Sequence, residues 1–134
     1  MYLLDANACI HILRNSSKNL LERFQRHAPA EIKLCSVVKA ELIYGALRSA
    51  RIEKNFALLR RFFSVFESHP FDDESAEHYG RIRVALERTG NIIGPNDLMI
   101  AAIAMARDLV LVTHNTEEFS RVTSLRLEDW EDGV

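Results

Sequence analysis

Three carboxylates lie beside apolar segments that have the length of buried strands and helices: Asp5, Glu41 and Asp97. Carboxylates offer only oxygen ligands, and oxygen-only sites with open positions favour Mg²⁺ or Mn²⁺. A divalent ion held in this way can activate a water and stabilise the leaving oxygen of a phosphodiester. If these three residues come together in the fold, metal-dependent hydrolysis of a nucleic acid is the chemistry they predict.

Other reactive side chains give weaker signals. The two cysteines, Cys9 and Cys35, form no Cys-x-x-Cys pair, and the five histidines show no His-Glu-x-x-His spacing, so a zinc site is not indicated. The longest apolar run has nine residues, 98–106, whereas a membrane helix needs about 20. With no signal-peptide pattern and with free thiols, we expect a cytoplasmic protein without a membrane partner.

The net charge of the chain does not indicate a nucleic-acid partner. The 134 residues carry 17 Lys and Arg against 19 Asp and Glu, a formal net charge of −2. Local groups of cations could still contact phosphates. Two such groups follow predicted helices: Arg14, Lys18, Arg23 and Arg26, then Arg48, Arg51, Lys54, Arg60 and Arg61.

Short apolar runs alternate with helical patterns along the chain. Strands are predicted at 2–4, 32–36, 65–68, 109–113 and 125–127, and helices at 7–14, 17–26, 38–47, 53–63, 74–88 and 98–106. This alternation predicts an α/β fold, a three-layer α/β/α sandwich with a central, mostly parallel sheet. The length and the absence of a linker predict a single domain over 1–134.

Such a sheet brings the three acids to one edge. In an open parallel sheet, ligands bind at the carboxyl ends of the strands, where the following helices begin. Asp5 and Glu41 follow strands, and Asp97 begins the helix that leads into the fourth strand. Each acid also has a purely structural interpretation, as a helix cap or a solvated first-turn residue.

Four blocks of sequence, in this order, resemble one known family. They are Tyr-Leu-Leu-Asp5-Ala-Asn7, Ala40-Glu41-Leu42-Ile43-Tyr44-Gly45, Gly94-Pro95-Asn96-Asp97-Leu98-Met99-Ile100-Ala101-Ala102, and Leu111-Val112-Thr113-His114-Asn115-Thr116-Glu117-Glu118-Phe119. Together they are similar to PIN-domain ribonucleases, in particular the VapC toxins of bacterial toxin-antitoxin modules. The resemblance covers essentially the whole chain.

The resemblance implies a PIN-like fold and a metal-dependent endoribonuclease in which a metal-activated water cuts RNA. By likeness to the family, Asp5 and Asp97 hold Mg²⁺, with Mn²⁺ as an alternative, and Glu41 completes an acidic triad. Glu118 is favoured over Asn115 as the fourth catalytic group. Three residues are expected to support the site by hydrogen bonding or orientation: Asn7, Thr113 and Asn115.

The resemblance also implies substrates and partners. We expect a structured RNA substrate, with tRNA and especially initiator tRNA as the preferred candidate. A cognate VapB-type antitoxin is expected to bind, in a toxin-antitoxin hetero-oligomer, and the toxin itself is expected to form a homodimer.

Two alternatives remain at the level of sequence. A haloacid-dehalogenase-like phosphatase also places an Asp after its first strand, but it requires a second Asp two positions later, where this chain has Asn7. A degenerate PIN domain that only binds a partner is the non-enzymatic alternative, although all three principal acids are present.

Overall fold

A five-stranded parallel sheet forms the centre of the protein. The structure, a computed structural model, describes residues 1–132. Its strands are β1 (Tyr2–Leu4), β2 (Ile32–Cys35), β3 (Glu67–His69), β4 (Val110–Val112) and β5 (Leu127–Glu128). They lie in the order β3-β2-β1-β4-β5, and each neighbouring pair is parallel. The first strand therefore occupies the middle of the sheet.

Seven helices connect and flank these strands. They are α1 (Ala6–Arg14), α2 (Lys18–Gln25), α3 (Ser36–Leu47), α4 (Ile52–Phe63), α5 (Asp73–Thr89), α6 (Pro95–Ala106) and α7 (Thr116–Phe119), with a 3-10 turn at Pro29–Glu31. Within the described residues, no helix combines the length and the apolar character needed to cross a membrane. The predicted α/β/α architecture is confirmed.

Both faces of the sheet are covered. Successive residues of a strand point to opposite faces, and Leu3 and Leu4 of β1 are both 0% exposed. Leu111 and Val112 of β4 are at most 1% exposed. Short strands of this kind consist almost entirely of apolar residues because neither face meets water.

Helix α6 lies in the core, as its apolar composition predicts. Its residues Ile100 to Ala104 are at most 1% exposed. Three of these five are alanines, whose small side chains allow the helix backbone to approach its neighbours closely. The tight packing of α6 fixes the position of its amino-terminal turn, which carries Asp97.

Several boundaries differ from the sequence predictions. Strand β3 lies at 67–69 rather than 65–68, because its residues are polar and only partly buried at the edge of the sheet. Strand β5 begins at 127 rather than 125, and α7 was not predicted because four residues are too few for a helical period. The 3-10 turn before β2 was also not predicted.

Helix α5 ends at a glycine in the left-handed region. Gly90 has φ +70° and its N–H donates to the carbonyls that close the last turn. A side chain at Gly90 meets no atom within 4 Å, so only the backbone conformation opposes substitution. Gly80 lies in the middle of the same helix, also with open space around it.

These two glycines predict substitutions of opposite sign. Gly90→Ala is expected to destabilise the fold by roughly 1 kcal/mol, because alanine is strained at positive φ. Gly80→Ala is expected to stabilise it by roughly 0.5–1 kcal/mol, because alanine loses less backbone entropy in a helix. Urea unfolding of the two variants and the wild type measures both effects, and equal shifts of the same sign would contradict the assignment.

Candidate active site

Four carboxylates from separate parts of the chain meet at the carboxyl edge of the sheet. Asp5 directly follows β1, Glu41 lies in the second turn of α3, Asp97 in the first turn of α6, and Glu118 in α7. The charges of Asp5, Glu41 and Glu118 all raise the pKa of Asp97. The structure thus brings together the three acids located by the edge rule and the fourth suggested by resemblance.

Asp5 is fixed by the start of the first helix. Its Oδ1 accepts the N–H of Ala8 at 2.8 Å, so Asp5 is the N-cap of α1. The residue is 7% exposed. Burial raises the pKa of Asp5, hydrogen bonds from Thr113 and Ala8 oppose the rise, and the charges of Glu131 and Glu41 add to it. Asp5 is therefore a buried carboxyl surrounded by negative charge.

Asp97 and Glu118 form a closely interacting pair. Burial raises the pKa of Asp97 to about 7, helped by a hydrogen bond to Glu118 and by the charges of Glu118, Glu41 and Asp5. Partial burial raises the pKa of Glu118, but hydrogen bonds from Gly94, Asp97 and Asn115 outweigh this effect and hold the pKa below the usual value. The pKa of Asp97 therefore lies above that of Glu118, so Glu118 ionises first as the pH rises.

The backbone around α6 and α7 positions Glu118. Its Oε1 accepts the N–H of Gly94 at 2.9 Å, and its Oε2 accepts the side-chain amide of Asn115. Oδ2 of Asp97 and Oε1 of Glu118 both lie within 4 Å of the position that a Cβ would take on Gly94, at 3.7 and 3.8 Å. The amino-terminal end of α6 and the short α7 therefore hold one site between them.

The predicted supporting residues differ in their contacts. Thr113 is 1% exposed and its hydroxyl accepts the N–H of Asn115 at 3.0 Å, while Asn115 itself contacts Glu118. Both residues thus order the loop behind the pair. Asn7 is exposed, and within residues 1–132 the structure shows no side-chain hydrogen bond from it to Asp5. The expectation that Asn7 orients the Asp5 carboxylate or a metal-bound water stays a prediction.

Comparison with known proteins assigns the family. The PIN domain family model matches residues 2–125. This chain is 40% identical over 129 residues to the tRNA(fMet)-specific endonuclease VapC of Salmonella typhimurium, covering 96% of this chain and 97% of that protein. It is 43% identical over 131 residues to the protein of the same name from Shigella flexneri, with coverage of 96% and 97%.

This chain belongs to the VapC ribonucleases of the PIN-domain family. The structure of DNA-bound VapBC from Salmonella typhimurium superposes with a TM-score of 0.90, at 40% identity and with 96% and 97% of the two chains covered. The structure of VapBC-1 from Haemophilus influenzae superposes with a TM-score of 0.88, at 32% identity and with 98% of each chain covered. The comparisons favour neither the phosphatase nor the non-catalytic alternative.

The donor set fits the divalent ion on which PIN ribonucleases depend. Asp5, Glu41, Asp97 and Glu118 present carboxylate oxygens only, and no sulfur or imidazole ligand is needed. Burial is the largest cause of the raised pKa of Asp97, and the negative charges of Glu118, Glu41 and Asp5 add to it. Asp5 and Asp97 both lie at helix starts.

Sequence reasoning did not single out Asp129 and Glu131, which lie close to His114. His114, Asp129 and Glu131 offer ligand atoms that lie within 4.8 Å of one another, and Nδ1 of His114 is 2.9 Å from Oδ2 of Asp129. The hydrogen bond and charge of Asp129 raise the pKa of His114. Asp129 and Glu131 follow β5, so the rule that located Asp5 could also have located them.

The coupled carboxyls predict a pH effect on stability in the chelated protein. Folded Asp97 keeps its proton to about pH 7, whereas the unfolded carboxyl loses it near its usual 3.8. Between these values the folded state binds more protons, so the contribution of Asp97 to stability falls as pH rises. The Tm of Asp97→Asn minus that of the wild type, in chelator, should therefore increase from about pH 5 to pH 8.

Asp108→Asn is the matched control for this measurement. Asp108 is highly exposed and lies between α6 and β4, at the opposite end of these elements from Asp97. Its Tm difference from the wild type should stay constant over the same range. Magnesium should raise the Tm of the wild type more than that of Asp97→Asn, and a pH-independent difference for Asp97→Asn would contradict the assigned titration.

Proposed function

We propose that this chain is the toxin of a toxin-antitoxin module and acts as a Mg²⁺-dependent endoribonuclease on tRNA, with initiator tRNA as the substrate. The observation that carries the proposal is the meeting of four carboxylates at the sheet edge of a PIN fold. The substrate follows from the relatives of Salmonella and Shigella named tRNA(fMet)-specific endonucleases.

Each acidic residue has a distinct role in this proposal. Asp5 and Asp97 hold the divalent ion, Glu41 completes the triad, and Glu118 is the fourth catalytic group. A bound Mg²⁺ supplies activation of the attacking water and neutralisation of phosphate charge. Glu118, whose low pKa keeps it ionised, retains lone pairs that can accept a hydrogen bond from that water.

The remaining residues keep these groups in place. Thr113 and Asn115 order the loop that carries Glu118, and Asn7 lies exposed at the first turn of α1, where it can meet RNA or water. Attack of water on phosphorus breaks the bond to the 3′ oxygen, which leaves with a proton. The products are a 3′-hydroxyl and a 5′-phosphate.

Unpaired cations on one side of the molecule support an RNA substrate. Within residues 1–132, the structure shows no ion pair for any cation of the second predicted group: Arg48, Arg51, Lys54, Arg60 and Arg61. In the first group, Arg23 is paired with Glu128, and no ion pair is found for Arg14, Lys18 or Arg26 in this part of the chain. Cations without carboxylate partners are available for phosphates, so we place the RNA backbone along α3 and α4.

Removal of single carboxylates tests the catalytic assignment. Asp5→Asn, Asp97→Asn and Glu118→Gln are each expected to lower the rate of Mg²⁺-dependent tRNA cleavage by about 100-fold or more, since loss of even an outer-shell partner of a metal costs about 10- to 100-fold. Glu117→Gln, exposed and adjacent to Glu118, and Asp108→Asn should cleave at the wild-type rate.

Mapping the RNA ends from purified initiator tRNA identifies the cleaved bond and the product termini. Chelator should abolish cleavage by the wild type, and Mg²⁺ or Mn²⁺ should restore it. Cleavage that survives chelation, or that is unchanged in Asp97→Asn, would refute the metal-dependent mechanism.

The proposed partner is a VapB-type antitoxin, in a toxin-antitoxin hetero-oligomer built on a toxin homodimer. Two solved structures that this chain resembles are VapBC complexes. Expression of the chain alone should arrest growth, and co-expression with the small gene beside it should relieve the arrest and yield a co-purifying complex. Light scattering should give the mass of a dimer for the toxin alone, and failure of the neighbouring gene to relieve arrest would contradict the pairing.

A further inference from the structure

A groove lies beside the acidic site. It runs between α3 and α6, has a volume of about 360 Å³, and its lining includes Val37, Ala40, Glu41, Tyr44, Asn96 and Met99. Glu41 belongs both to this groove and to the acidic site, and Asn96 is the neighbour of Asp97 in sequence. Whatever occupies the groove therefore lies next to the acidic site.

Tyr44 is the most distinctive residue of this groove. It lies one helical turn after Glu41, on the same face of α3, and is 62% exposed. Within residues 1–132 the structure shows no hydrogen bond to its hydroxyl group. The aromatic ring is thus offered to solvent rather than used in the core.

An arginine side chain lies over the ring of Tyr44. The guanidinium carbon of Arg48 lies 5.0 Å from the centre of the Tyr44 ring, a cation–π distance. Arg48 has no carboxylate at ion-pair distance in the described part of the chain. An aromatic surface beside an unpaired cation is the pairing that single-stranded RNA requires, with stacking for a base and positive charge for its phosphate.

The remaining walls complete a site for a flat heteroaromatic group. Met99 and the apolar side chains of Val37 and Ala40 supply nonpolar contact. Asn96 is exposed, and its amide carries both a donor and an acceptor that can pair with a base edge.

From this geometry we propose that the groove binds an unpaired nucleobase flanking the scissile phosphate, with Tyr44 stacking on the base and Asn96 contacting its edge. The inference rests on the proposed ribonuclease function and extends it to a residue that sets the position of cleavage. A nucleotide held one helical turn from Glu41 aligns the adjoining phosphodiester with the carboxylates. A segment of a protein partner is the competing occupant, and the experiment distinguishes the two.

A protein–RNA double-mutant cycle tests the proposal. The substrates are the anticodon stem-loop of initiator tRNA and a series in which single nucleotides flanking the mapped cleavage site lack their base. The enzymes are the wild type, Tyr44→Leu, Tyr44→Phe and, as the matched control, Leu47→Ala, which alters an exposed residue of α3 outside the groove. The measured quantity is kcat/KM.

Loss of one stacked base is expected to lower kcat/KM of the wild type by about 5- to 100-fold. On intact RNA, Tyr44→Leu should lower kcat/KM by a similar factor. On the RNA that lacks that base, Tyr44→Leu and the wild type should have the same kcat/KM. Tyr44→Phe, which keeps the ring, and Leu47→Ala should behave as the wild type. A purely structural role for Tyr44 would lower activity on every RNA equally and would show no coupling to one nucleotide.

Three results would overturn the proposal, and they differ from one another. Unchanged kcat/KM for Tyr44→Leu, or an equal loss on intact and abasic RNA, refutes the base site while leaving the nuclease intact. If Tyr44→Leu cleaves every RNA with the wild-type kcat/KM but binds the antitoxin more weakly, the groove belongs to the protein partner. Absence of cleavage by the wild type itself refutes the ribonuclease function and the base site with it.

Discussion

Repulsion among carboxylates gathered at one edge of the sheet is the constraint on which this structure depends. Two carboxylates about 4 Å apart repel by roughly 4 kcal/mol at an effective dielectric of 20. The fold must hold four of them together, and something must offset their charge. Burial and the neighbouring charges raise the pKa of Asp97 to about 7, while hydrogen bonds lower that of Glu118, so a proton on Asp97 is one way in which the charge of the site falls. A divalent cation satisfies the same demand more fully.

The scaffold offsets the rest of the repulsion with the starts of its helices. Asp5 caps α1, Asp97 lies in the first turn of α6, and Glu118 accepts the N–H of Gly94, the N-cap of α6. Each of these three carboxyl groups therefore lies near the partly positive end of a helix. The capping and catalytic interpretations of Asp5 do not compete, because the hydrogen bond that starts the helix also aims the carboxylate.

The sequence was sufficient for the architecture and for three of the four acids, because both follow from the parallel sheet. Asp5, Glu41 and Asp97 could be placed at one edge from the order of strands and helices. The choice of Glu118 as the fourth acid required the family resemblance, since α7 has only four residues and shows no periodicity. Asp129 and Glu131 were not singled out because β5 was predicted to end at 127, which made Glu128 rather than Asp129 the residue directly after the strand. The proton balance between Asp97 and Glu118 depends on ångström distances that no spacing rule supplies.

The net charge of −2 hides the fact that acidic and basic side chains lie in different regions of the molecule. Acidic groups concentrate where the sheet ends, while the cations that follow Glu41 along α3 and α4 lack carboxylate partners in the described residues. A polyanion thus meets unpaired positive charge on the flank and a bound cation at the centre, where the ion inverts the local sign. Because exposed charges farther apart than a Debye length of about 8 Å are largely screened at physiological salt, RNA responds to this local arrangement rather than to the sum. A mildly acidic chain can therefore bind and cut RNA without a basic surface overall.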